Sequence, residues 1–198
     1  AAVNFTQPGA VMKADSIDRW RSETRLTTNA IEISSWDYRT LHQRSASSAA
    51  ASSESPILRS RDSPGVYAFP CREQGQRIAD NQLQALEASR QTHIGCGTVR
   101  TLAPGTTFSL HGHARYDNAE NDDGRTFAIV RVVHLMHNNL SADLRGGVTS
   151  LLGEGAIAAA AGAERDLHAA SGITGERPMY RNCIDAIPNS VPYRSSGT

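Results

Sequence analysis

Hydrophobic and polar residues alternate with a period of two over residues 30–39, and this alternation predicts a β-strand. Ile31 and Ile33 occupy one side of the alternation and polar residues occupy the other, a pattern typical of a half-buried strand. The stretch ends in the aromatic residues Trp36 and Tyr38. We expect these two side chains to face a core.

Three more strands are predicted in the second half of the chain, over residues 98–102, 106–111 and 126–136. The first two are separated by residues 103–105, Ala-Pro-Gly, which place proline and glycine where a type II turn requires them. The third stretch is largely apolar on both faces. This predicts a central strand or a strand that lies at a subunit interface.

Apolar residues recur at helical spacing over residues 75–90, which predicts an amphipathic helix packed against a sheet. The apolar face comprises Ile78, Ala79, Leu83 and Leu86. Residues 148–170 have a weaker helical pattern in an alanine-rich stretch with three glycines, and a mobile insertion is the alternative interpretation.

Turn-forming and low-complexity residues predict the connections. The serine- and alanine-rich residues 45–55 predict a loop or linker. Residues 63–65, Ser-Pro-Gly, predict a turn that is followed by a short strand over residues 66–70. The proline-containing residues 188–193 predict an extended segment that leaves a domain.

Composition excludes some classes of function. Of the 198 residues, 20 are Lys or Arg and 20 are Asp or Glu, so the net charge is zero and the basic surplus of a nucleic-acid-binding protein is missing. No apolar run of about 18 residues predicts a membrane span. The first residues lack the pattern of a signal peptide and are typical of the interior of a longer chain.

The three cysteines form no CxxC pair, so neither a disulfide framework nor a zinc ribbon is indicated, and we expect a reducing compartment. Cys96, between two glycines, fits the entry to a strand better than a reactive thiol. The acidic residues 117–124 lack the spacing of a calcium loop and are interpreted as an exposed hairpin loop.

Histidines provide the sharpest hypothesis of an enzyme. His111 and His113 are two apart on a predicted strand and could chelate a metal ion together with His134. His137 is three residues beyond His134, so the two would point to opposite sides of a strand. The HxH pair has no accompanying HExxH, and the alternative is that these histidines close strand ends.

Short segments in a fixed order across residues 30–194 resemble VgrG proteins, the spike of the type VI secretion system. They are Ser35-Trp36-Asp37-Tyr38-Arg39, Pro64-Gly65-Val66-Tyr67, Gly75 with Ile78-Ala79, Leu102-x-Pro104-Gly105-x-x-Phe108-x-Leu110-x-x-His113, Val133-His134, Tyr180-Arg181-Asn182, Ala186-Ile187-Pro188 and Pro192-Tyr193-Arg194. Thr40 and Ala114 depart from the family pattern, which often has proline there.

The resemblance implies a structural protein, similar to the central hub of contractile phage tails, with no catalytic residue, metal or cofactor. It implies a homotrimer that seats on the ring of the Hcp tube, with effector or tip proteins as further partners. The protein would reside in the bacterial cytoplasm and then be translocated without a signal peptide. A phage tail or baseplate hub is the alternative, and a metal-dependent hydrolase is the second alternative.

The resulting expectation is a β-rich α+β fold, with a barrel-like β domain and part of an α+β domain. Residues 1–94 would belong to the α+β hub domain, 95–140 to the second small barrel, 141–176 to an insertion, and 177–198 to an exit segment towards an OB-fold. Candidate interface residues lie on the last predicted strand, at Val130, Arg131 and Val132.

Overall fold

The computed structural model describes residues 1–7, 14–50, 56–117, 122–136, 151 and 179–195. Over these ranges the chain is rich in strands and has one long helix, so the predicted β-rich α+β class is confirmed. The elements in chain order are β1 (Ala2–Asn4), β2 (Ile17–Thr24), β3 (Ala30–Asp37), β4 (His42–Ala49), β5 (Arg59–Val66), α1 (Arg72–Arg90), β6 (Gln91–Gly97), β7 (Thr107–His111), a 3₁₀ turn (Asp122–Arg125), β8 (Thr126–Met136) and β9 (Tyr180–Pro188).

The chain divides into two compact units. The first unit comprises Ala1–Arg21 and His93–Ala186, and the second comprises Ser22–Thr92 and Ile187–Thr198. The domain boundaries predicted from the sequence stay a prediction.

A six-stranded sheet of order β1-β7-β8-β9-β6-β2 forms the framework of the first unit and curls as a half-barrel. β1 runs parallel to β7, whereas β7–β8 and β6–β9 are antiparallel pairs. Aliphatic and aromatic side chains from these strands and their loops form one core, consistent with the predicted central position of β8. Its buried members are Val3, Ile17, Val99, Leu102, Phe108, Leu110, Tyr116, Phe127, Ile129, Ile184 and Ala186.

The second unit is a three-stranded sheet of order β4-β3-β5 with α1 packed on one face. β3 is antiparallel to β4 and parallel to β5. Side chains from the sheet, from α1 and from the segment between β5 and α1 form a second core. Its buried members are Ile31, Ile33, Ala46, Phe69, Ala79 and Leu83.

Several elements lie where their patterns predict them. Helix α1 contains the predicted residues 75–90, and β8 has the predicted bounds 126–136. The turn at residues 103–105 is also confirmed, because Gly105 has φ +78° and the Thr106 amide donates to the Ala103 carbonyl at 3.3 Å.

The loop predicted at residues 45–55 is wrong for its first half, since residues 45–49 belong to β4. All eight residues of β4 pair with β3. Ala46 is buried in the second core, and the side-chain Nε2 of Gln76 donates to the Ser47 carbonyl at 2.9 Å. The small side chains therefore let a helix pack closely on the strand, while the backbone supplies the pairing.

The strand predicted at residues 98–102 is wrong: residues 91–97 form the strand, and 98–102 lead away from it. Glycine is depleted in strands, which is why Gly95 and Gly97 predicted a boundary. In the structure, Gly95 and Gly97 lie within the strand and let neighbouring groups approach its backbone closely. A Cβ on Gly95 would be 2.8 Å from the Trp20 ring, and one on Gly97 would be 2.8 Å from the Ile17 Cα and would overlap the Ser16 carbonyl oxygen.

The predicted turn at residues 63–65 and the strand at 66–70 are also wrong, because β5 runs through Gly65 and ends at Val66. Pairing with β3 shifts register between Ile33 and Ser35, so the proline and glycine form an irregularity within an edge strand rather than a turn.

Strand β9 was not predicted, although its run Cys183-Ile184 and Ala186-Ile187 is typical of a strand buried on both faces. The chain turns just after it, where the Val191 amide donates to the Pro188 carbonyl at 3.0 Å, so the segment 188–193 is not fully extended.

The expectation of no disulfide is wrong as well. Cys96 and Cys183 are opposite each other in the β6–β9 register, with Cα atoms 4.1 Å apart, and form a disulfide. The two cysteines are 87 residues apart in the sequence, so the sequence did not predict that they pair.

The interpretations of residues 118–121 and of 148–170, apart from Leu151, lie outside the described residues. Within the described ranges, none of the helices combines the length and apolarity that a membrane crossing needs.

Candidate functional site

One end of the three-stranded sheet carries a cluster of aromatic, aliphatic and arginine side chains, all exposed except the half-buried Tyr67. It consists of Trp36, Tyr38, Arg39, Val66 and Tyr67, and we refer to it as the aromatic surface. The exposed fraction is 45% for Trp36, 54% for Tyr38 and 64% for Val66. Trp36 and Val66 are neighbours in the parallel pairing of β3 with β5.

Strand alternation explains why these rings are exposed, which contradicts the expectation that Trp36 and Tyr38 face a core. Ile31 and Ile33 point towards α1, so Ser35 also points inward and is buried. Trp36 then lies on the opposite, open face of the sheet. The strand pattern itself implies this exposure, and the error came from the hydrophobicity of the rings.

Buried Asp37 holds the turn that presents Tyr38 and Arg39. Its Oδ1 accepts the Arg39 amide at 2.9 Å and the Thr40 amide at 3.4 Å, and its Oδ2 accepts from the Arg44 guanidinium. Burial acts to raise the pKa of Asp37, but the hydrogen bonds from Arg39, Thr40 and Arg44 outweigh it and keep this pKa below its usual value. The carboxylate therefore stays charged and fixes the turn.

Buried Ser35 holds the other half of the surface in the same way. Its Oγ accepts the Ala68 amide at 2.7 Å and donates to the Gly65 carbonyl at 3.2 Å. The Tyr67 amide donates to the Trp36 carbonyl at 2.8 Å. Trp36 and Tyr67, which are more than 25 residues apart in the sequence, are thus fixed side by side.

Two non-glycine residues here have left-handed backbone conformations: Tyr67, within the aromatic surface, and Leu41, close to it in the sequence, both with φ +56°. Such conformations are uncommon for bulky residues and persist only where the surroundings enforce them. Around Tyr67, the Tyr67 amide donates to the Trp36 carbonyl and the next amide, of Ala68, donates to Ser35 Oγ. The backbone of the aromatic surface is therefore held by specific hydrogen bonds.

The Arg39 guanidinium lies beside both Tyr38 and Tyr67. Its guanidinium carbon is 5.8 Å from the Tyr38 ring centroid and 5.0 Å from that of Tyr67, and the two rings are 5.9 Å apart. Both contacts are within the range of cation–π attraction. Tryptophan, tyrosine and arginine are also the residue types that dominate binding energy at protein interfaces. The arrangement has the residue types of a protein-binding surface.

The interface residues predicted from the sequence lie on β8, between β7 and β9. Val130 is half-buried, Val132 packs against the first core, and the exposed Arg131 donates through Nε to Asp185 Oδ2 at 2.7 Å. Arg131 therefore already has a carboxylate partner. That these three residues form an interface stays a prediction.

The histidines of the metal hypothesis separate into different surroundings. The His113 ring is 4.7 Å from the Phe5 ring and 5.0 Å from the Tyr116 ring, whereas His134 Nδ1 is 2.7 Å from the Tyr180 hydroxyl oxygen. His137 lies outside the described residues. In the part of the chain that the structure describes, no three His, Cys, Asp or Glu side chains are grouped to hold a metal ion.

Comparison with known proteins identifies the family of the chain and a solved structure with a similar fold. Residues 1–140 match the family model of the phage tail baseplate hub (GPD). None of the curated proteins matches the sequence. A crystal structure of a tail protein from Neisseria meningitidis MC58 is similar, with a TM-score of 0.51 and 9% identity, over 96% of this chain and 44% of that chain. At this identity the likeness shows the fold alone, and the chain spans less than half of that neighbour.

Proposed function

The chain belongs to the phage tail baseplate hub family, and from this premise we propose that it is a structural, trimer-forming part of the hub of a contractile tail-like machine. The observation that carries the proposal is the match of residues 1–140 to the family, together with the fold that the chain shares with a tail protein. A hub holds other subunits in place, so its essential features are interfaces.

The aromatic surface supports this function. A protein that assembles needs exposed, rigid side chains with high contact energy, and Trp36, Tyr38 and Arg39 meet that need. The curled sheet supplies the rigid framework, closed across β6 and β9 by the disulfide. We infer a scaffold rather than an enzyme.

The finer proposal is the hub of a type VI secretion spike, as the resemblance to VgrG implies. The trimer would seat on the Hcp tube ring, with Val130, Arg131 and Val132 at an interface, and would help to deliver effectors. Such a protein is made in the bacterial cytoplasm and translocated without a signal peptide. The alternative is the baseplate hub of a phage tail, which the family description favours.

Two measurements on the complete protein test these proposals. Light scattering after size exclusion should give the mass of a trimer, and a strictly monomeric complete protein would refute the hub function. Co-sedimentation with assembled Hcp tubes and with phage tail tubes then separates the two contexts. Binding to Hcp alone supports the secretion spike, and binding to the phage tube alone supports the phage hub.

A further inference from the structure

We propose that the aromatic surface docks a neighbouring copy of this chain, and that it contacts a different surface of that copy, one that presents a carboxylate flanked by apolar atoms. The inference rests on the proposed trimeric hub and adds to it the residues that make the contact. It also specifies the kind of symmetry of that contact.

The positive charge of Arg39 explains why the partner surface should present a carboxylate. Among the described residues Arg39 forms no ion pair, and its guanidinium contacts the faces of two tyrosine rings. Covering the surface removes water from this cation, which is costly unless an anion replaces the water. Asp37 cannot fill this role because its oxygens already accept from Arg44 and from two backbone amides. The anion must therefore come from the partner.

The charge of Arg39 also excludes a two-fold contact in which the aromatic surfaces of two copies face each other. In a two-fold contact the same patch appears on both sides, so two Arg39 guanidinium groups would be desolvated together without an anion. Like charges that are brought together in one desolvated contact oppose association strongly. A contact between unlike surfaces avoids this cost, and unlike surfaces close rings such as trimers.

This chain can supply the complementary group. Asp62 and Glu87 carry carboxylates that form no ion pair among the described residues. The sequence as a whole has equal numbers of acidic and basic residues, so each copy can offer both a cation and an anion. A second copy is therefore a chemically sufficient partner for Arg39.

The rigidity of the surface favours stable docking. Side chains that are already fixed lose little conformational entropy on binding. Asp37 and Ser35 fix the two turns, and the Arg39 guanidinium already lies over the rings of Tyr38 and Tyr67 before any partner arrives. Trp36 and Val66 would then bury apolar area around the ion pair and exclude water from it.

The first test replaces Arg39 in the complete protein and measures self-association by sedimentation equilibrium. Arg39→Glu should weaken association at least tenfold and Arg39→Lys should weaken it less, because lysine keeps the charge but not the planar fork. Arg25→Glu is the matched control, since Arg25 is exposed in the same unit and outside the aromatic surface. Trimers of Arg39→Glu as stable as those of the control would overturn the inference while leaving the hub function intact.

The second test does not depend on Arg39. Tyr38→p-benzoylphenylalanine in the complete protein, followed by ultraviolet light and mass spectrometry, should yield links between copies to a segment outside the aromatic surface. Reversing the charge of the carboxylate found there should restore association of Arg39→Glu. Links to Tyr38 of another copy, links within one chain, or no links at all would each contradict the proposal. A wild-type protein that is monomeric would instead refute the hub function itself.

Discussion

The rings of Trp20 and His93 stack in the core of the first unit, with centroids 5.4 Å apart and planes 12° from parallel. His93 is 1% exposed, and neither ring nitrogen has a hydrogen-bond partner among the described residues. Phe127 and Tyr116 contact its ring edge-on, at 4.7 Å and 6.3 Å between centroids. The imidazole thus occupies an apolar site that favours its neutral form.

Stability should therefore depend on pH through His93. Burial, and secondarily the positive charge of Arg115, lowers the pKa of His93 from 6.5 to about 4. The unfolded state takes up the proton first, so stability is complete above pH ~6.5, falls as the pH drops towards ~4, and changes no further from this group below that. The loss is about 3 to 4 kcal/mol at most, since each unit of pKa difference corresponds to about 1.36 kcal/mol.

Urea unfolding at several pH values measures this effect. His93→Phe, which keeps an aromatic ring but cannot titrate, should flatten the pH dependence between 6.5 and 4. His42→Gln, at an exposed position of β4, is the control and should leave it unchanged. An unchanged slope in His93→Phe would show that the depressed pKa is not the cause.

Removing the disulfide should destabilise the protein. Cys96→Ala combined with Cys183→Ala should lower the free energy of unfolding by about 2–5 kcal/mol, because the bond closes a long loop and both sulfurs are buried. Cys71→Ala, at an exposed free cysteine, should change it little. Alkylation in denaturant without reductant should modify one of the three cysteines, and modification of all three would contradict the pairing.

Gly97→Ala should destabilise the first unit. Its Cβ would overlap the Ser16 carbonyl and crowd the Ile17 Cα, both backbone groups that cannot move independently. The contact between β6 and β2 would open, at a cost of about 1–3 kcal/mol in thermal or urea unfolding. Gly105→Ala provides the comparison, because that site has open space and only its φ of +78° resists a side chain. A smaller loss for Gly97→Ala than for Gly105→Ala would argue against the close approach.

Asp37→Asn should loosen the turn that presents Tyr38 and Arg39. Asparagine keeps one acceptor but loses the charge that Arg44 pairs with, so the Arg39 and Thr40 amides should exchange hydrogen faster. Because the pKa of Asp37 lies below its usual value, wild-type protein should show the same loosening only at acidic pH, as the carboxylate is protonated. Asp15→Asn, at an exposed position of the first unit, should leave these exchange rates unchanged.

Local pattern determined the elements whose side chains alternate or recur regularly. The period of Ile31 and Ile33 specified β3, the helical spacing around Leu83 specified α1, and Pro104 with Gly105 specified a turn. In each case the decisive interaction is between near neighbours in sequence or between one face and a core. The order of short segments also pointed to a hub-like protein, whose family the match over residues 1–140 shows.

Tertiary structure decided everything that depends on distant partners. β4 is a strand because β3 and α1 accept its small side chains, and the glycines of β6 are strand residues because Trp20 and Ser16 approach them. Cys96 and Cys183 are brought together only by the register of β6 with β9. The aromatic surface likewise exists only because the ends of β3 and β5 pair. Ser35 and Asp37 belong to a motif of the resemblance, but their partners Ala68 and Arg44 are distant in the sequence and are known only from the fold.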